Sequence, residues 1–171
     1  MRSRNDILSA AALALTAAFV FATVVSAQAK EGTVSFTFAG FGTSKATQIG
    51  KDRLLLVIDE NGLDEGSNDP MFDHTTWHCG GWGDFTKGVG QAHVYCVRTD
   101  PAGDQFVQDI ATGTMSLGQS FKGSETLTGG TGKFSGITGS GTFVFDGNSF
   151  KTAEQGTYIS HGTHNLSYKL P

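Results

Sequence analysis

The chain has 171 residues and a formal charge of −4, with 24 glycines, 13 phenylalanines and two cysteines. Removing residues 1–29, which read as a signal peptide, takes away Arg2, Arg4 and Asp6 and leaves a formal charge of −5. That balance carries no basic stripe, so nucleic acid is an unsuitable partner. The remaining residues, 30–171, are enough for one domain with a real core.

The export signal has three parts. Arg2 and Arg4 form a positive start, Ile7 to Val25 form an apolar run, and Ser26-Ala27-Gln28-Ala29 offers small residues at both positions read by a signal peptidase. Cleavage is expected after Ala29, giving a secreted or periplasmic protein. The alternative is an uncleaved anchor, because the apolar run is long enough to span a bilayer. No second run is long enough, so no stable membrane span is expected once the signal is cut.

Every glycine lies after residue 29, and the segments between them are short and rich in Thr, Ser, Phe and Val. This composition favours strands and turns over helices. Thr33 to Phe38 alternates, with Val34, Phe36 and Phe38 on one face, which marks a half-buried strand. Arg53 to Ile58 is continuously apolar and reads as a central strand. Asp59 to Met71 is acidic, with Gly, Asn and Pro, and reads as a long solvated loop.

The cysteines define the next element. Cys79 and Cys96 form an even pair, which in an oxidising compartment suggests a disulfide; two free buried thiols are the alternative. Placing them opposite each other on antiparallel strands leaves Lys87-Gly88 as a two-residue turn, a favoured hairpin closure. Counting outward from Thr86 and Val89 makes 79–96 a non-hydrogen-bonded pair, the kind that brings side chains closest. One face of this hairpin carries Trp77, Cys79, Gly81, Gly83 and Phe85 with Gly90, Ala92, Val94, Cys96 and Arg98. The other carries a polar-aromatic band of His78, Trp82, Asp84, His93 and Tyr95. That band is the candidate ligand-binding site, offering stacking surface with hydrogen-bonding groups. Which face points inward is left open by the register.

Further strands are expected over Val89–Thr99, Gln105–Thr112, Met115–Thr128 in one or two pieces, Gly141–Asp146, and Gly156–Leu170 in one or two pieces. Asp100-Pro101-Ala102-Gly103 and Gly147-Asn148 read as turns. About eight short strands suggest a barrel or sandwich.

Other chemistry finds little support. Gly132-Lys133 is followed by Phe134, and Leu127 stands where a phosphate loop needs glycine. Among His74, His78, His93, His161 and His164, the spacings do not bring two onto one metal; only cross-strand convergence, such as His78 or His93 with Asp84, would. Asp59, Asn61, Asp64, Glu65, Asp69 and Asp73 miss the calcium-loop spacing. There is no nucleophile elbow, and a disulfide would consume the thiols. No cofactor is implied, and catalytic residues are unassigned.

The segment Gly129-Gly130-Thr131-Gly132-Lys133-Phe134-Ser135-Gly136-Ile137-Thr138-Gly139 resembles the Gly-rich signature of allene oxide cyclase and dirigent-like β-barrels, including bacterial secreted relatives. The resemblance implies a single antiparallel, calycin-like barrel of about eight strands, with Phe134 plugging one end and a cavity for apolar or phenolic molecules. Function does not transfer with fold. Three readings follow in order: an exported barrel binding a small apolar or aromatic ligand, a filled barrel serving as a structural or interaction domain, and an isomerase or cyclase acting on a lipid-derived or phenolic substrate. An oligomer is compatible with each.

Overall fold

The computed structural model describes residues 29–146, 152 and 154–171. The export segment, apart from Ala29, and the expected Gly147-Asn148 turn lie outside the described residues. The described residues form nine antiparallel strands: β1 (Lys30–Ile49), β2 (Arg53–Glu65), β3 (Thr76–Thr86), β4 (Val89–Thr99), β5 (Gln105–Ala111), β6 (Met115–Ser116), β7 (Phe121–Gly130), β8 (Thr138–Phe145) and β9 (Thr157–Leu170). Their order is β3-β2-β1-β9-β8-β7-β5-β4, and β3 also pairs with β4, so eight strands close into a ring; β6 adds two residues to the rim of β4. Closure removes the exposed edges that an open sheet would present.

The hairpin register is the one expected. Thr86 opposes Val89, Cys79 opposes Cys96, and the two cysteines are bonded. Lys87 and Gly88 both have positive φ, 54° and 78°, the geometry that matches a two-residue turn to strand twist.

Two expectations are corrected. Asp59 to Glu65 is not loop but the second half of β2, and only the stretch after it leaves the sheet. The acidic residues hid a strand because its alternation continues from Leu54, Leu56 and Ile58 to Glu60, Gly62 and Asp64. Nor is Arg53–Ile58 buried on both faces: Val57 is fully on the surface side. In a barrel without covering helices, each strand has one wet face.

The interior has two levels. At one end Val34, Phe36, Phe72, Phe106, Leu127, Phe134, Ile137, Leu166 and Tyr168 fill the barrel solidly. Two short 3-10 helices, Pro70–Phe72 and Gly132–Phe134, insert Phe72 and Phe134 as plugs, both fully buried. Their rings meet at 5.6 Å between centroids, and each meets Phe106. At the other level Phe38, Trp77, Cys79, Cys96, Ile110 and Phe143 surround the axis less tightly.

Candidate functional site

Above the plugged end the barrel is hollow. A chamber of about 290 Å³ is lined by Phe38, Leu56, Ile58, Phe85, Val94, Phe121, Phe143 and Phe145, among others, with Met115 and Leu117 at its rim. Its volume sits at the small end of the range that holds small organic molecules, about 300–1,000 Å³. The face left open by the hairpin register is now decided. Trp77, Cys79, Phe85, Ala92, Val94, Cys96 and Arg98 face the chamber.

His78, Trp82, Asp84, His93 and Tyr95 therefore lie on the outer wall. Trp82 and Tyr95 are 46% and 54% exposed. His93 packs between their rings, at 6.1 and 5.1 Å, and pairs with Asp109. His78 pairs with Asp59, and Asp84 takes a two-pronged contact from Arg53. His78, His93 and Asp84 thus each have a separate partner and do not converge. His74 lies outside the strands and contacts Asp73.

The chamber contains polar groups that the sequence reading passed over. Glu60 on β2 and Tyr158 on β9 flank Gly42 on β1, which pairs with both. A side chain at Gly42 would collide with the Tyr158 ring. Its absence lets the ring lie across β1, so that the Tyr158 hydroxyl donates to Glu60 Oε2 at 3.2 Å. Ser160, fully buried, lies beside Glu60. Burial pushes the Glu60 carboxyl above its ordinary value, while Ser160, Tyr158 and Arg98 pull the other way. Burial and the neighbouring Glu60 likewise push the Tyr158 phenol up.

The chamber floor is a buried polar layer. Arg98, 2% exposed, donates from Nε to Gln108, from Nη1 to Asp64, and from Nη2 to His164 Nε2 at 2.9 Å. Asp64 also accepts from Thr75 Oγ1 at 2.5 Å. Glu125 Oε2 faces His164 Nδ1 at 2.6 Å and accepts from Gln108 Nε2 at 2.9 Å. A guanidinium only donates, so Nε2 of His164 must accept; the proton sits on Nδ1 and points to Glu125. The imidazole is thus neutral. Burial, followed by the Arg98 charge, holds His164 below its ordinary value, consistent with that tautomer.

Asp64, Gln108 and Glu125 are all inward positions of strands whose neighbours are apolar. The sequence signal that could have found them is parity: each shares its face with core residues on its own strand, as Glu125 does with Leu127 and Gln108 with Phe106 and Ile110. Which partners they meet depends on ring closure, which local pattern does not reveal.

No family model and no curated protein matches the chain. Among solved structures, the chain is similar to one titled as the pterocarpan synthase dirigent protein GePTS1, with a TM-score of 0.51, 13% identity, and coverage of 85% of this chain and 88% of that one. At that identity the likeness concerns the fold alone. The architecture is a dirigent-like β-barrel, as the Gly-rich segment implied.

Proposed function

We propose that this protein is an exported barrel that binds a small, mostly apolar molecule in its chamber. The observation that carries the reading is the contrast between the two barrel levels. One end is packed solid and plugged, whereas the other keeps an apolar chamber with a localised polar pair, the usual composition of a small-molecule site. Export after Ala29 is supported by the A-x-A site, by the start of β1 at Lys30, and by a disulfide, which persists in oxidising compartments. Among the described residues, no helix is long and apolar enough to cross a membrane.

The two tryptophans supply the test. Trp77 lines the chamber and Trp82 lies outside, so the Trp82→Phe variant leaves one internal reporter. Titrating it with N-phenyl-1-naphthylamine, a neutral apolar fluorophore, should quench Trp77 saturably and raise the melting temperature. Absence of both responses would refute the reading. Mass analysis of the mature protein should give a chain beginning at Lys30.

A second reading, an isomerase or cyclase, is favoured by one observation: Glu60 places a carboxyl with a raised pKa within an apolar chamber, the condition for proton transfer to a bound substrate. It adds chemistry to the binding reading rather than replacing it.

A further inference from the structure

The chamber reading leaves the ligand's chemistry open, but the polar groups around it restrict that chemistry. Among the described residues, three ionisable side chains other than Tyr158 line the chamber: Glu60, Arg98 and His164. Arg98 is the one permanent cation among them, and each of its three nitrogens already has a partner. Beneath the floor, Asp64 pairs with that guanidinium, Glu125 faces His164 Nδ1, and the imidazole between Arg98 and Glu125 is neutral. Asp64 Oδ1 and Glu125 Oε1 are buried without a hydrogen-bond partner. The floor therefore carries surplus acceptors.

Among the described residues that line the chamber, an entering carboxylate would meet no unpaired cation while losing its hydration, which is costly in an apolar enclosure. A cationic ligand would also have to shed water against a mainly apolar wall. An uncharged molecule avoids both costs. Its polar atom then needs a partner; Ser44 and Gln119 also line the chamber, Gln119 at an exposed position, and Glu60 is the one set opposite the Tyr158 hydroxyl. Tyr158 on β9 already donates to Glu60 Oε2, Ser160 on the same strand lies beside Glu60 but outside the chamber lining, Arg98 on β4 is directed elsewhere, and β1 places Gly42 opposite Glu60. With Tyr158 donating to Oε2, a neutral Glu60 carries its own hydrogen on the other oxygen and can donate it.

Resting on the chamber reading, we propose that the ligand is an uncharged molecule with a hydrogen-bond-accepting group, such as a ketone or ether, docked on the Glu60 carboxyl, and that carboxylates are excluded. The site selects by acceptor chemistry and charge as well as by apolar fit.

Three ligands of one shape test this, titrated calorimetrically into the mature, oxidised protein: 2-acetonaphthone and 2-ethylnaphthalene at pH 4.5, below the raised value of Glu60, and 2-naphthoate with 2-ethylnaphthalene again near pH 6, where the naphthoate is ionised. The ketone should bind roughly tenfold more tightly than the hydrocarbon, the size of one good hydrogen bond. The naphthoate should bind at least as weakly as the hydrocarbon. Glu60→Leu should erase the ketone's advantage while retaining the hydrocarbon, and Glu60→Gln, which keeps a donor, should preserve much of it. Hydrocarbon binding without preference for the ketone overturns the acceptor assignment and leaves the chamber reading intact. Tighter binding of naphthoate overturns the charge argument. Failure of all three ligands to bind overturns both readings.

Discussion

Replacing Asp64 with alanine distinguishes the buried-layer account from the solvated-loop account of the same residue. In a wet loop, Asp64→Ala would change stability by no more than about 0.5 kcal/mol. In the barrel, Asp64 is fully buried, paired with Arg98 and accepting from Thr75. Its removal strands a buried guanidinium, a loss of about 3–5 kcal/mol. For a domain of this length each kcal/mol is worth about 2–4 °C, so the melting temperature should fall by roughly 6–20 °C. The assay is reversible urea unfolding of the oxidised mature protein, with thermal melts alongside. The denaturant slope should stay constant while the midpoint moves. The double variant Asp64→Leu/Arg98→Met should be less destabilised than the two single changes added together, by about 0.5–3 kcal/mol. A shift below about 1 kcal/mol for Asp64→Ala, or strict additivity in the cycle, would refute the buried pair.

Three other outcomes follow from the same geometry. The raised carboxyl of Glu60 contributes stability that is full below its ordinary value of 4.5 and is lost as pH rises through the folded value. Glu60→Gln removes that loss, so its stability relative to the parent should climb as pH rises above 4.5 and run level below it, as read by melts across pH 4–8. His164 titrates in both proteins, so the difference isolates Glu60. Gly42→Val should drive the Tyr158 ring off β1, costing about 1–3 kcal/mol and lowering ligand affinity; unchanged unfolding and binding would contradict the close approach. Trp82→Ala and Tyr95→Ala should leave chamber binding intact and stability within about 0.5 kcal/mol, because both rings lie on the outer wall.

Much of the wall was legible locally. Cysteine spacing and the Lys87-Gly88 turn set the β3–β4 register residue by residue, since a hairpin's pairing is fixed by its own turn. Strand β4 and the Asp100–Gly103 turn were equally local. The length of β2 was not, because its inward parity passes from leucine and isoleucine to Glu60 and Asp64, and acidic residues read as solvent-facing unless their partners are known.

The candidate site shows the same division. Sequence alone determined that the hairpin has an apolar face and a polar-aromatic face, because strand alternation has a period of two. Only closure of the ring decided which face lies inside. It carries β9 back beside β1, so Arg98 meets His164 across 66 positions and Tyr158 meets Glu60 across 98. Such contacts depend on how all eight strands curve together, and no local window of the chain contains that information.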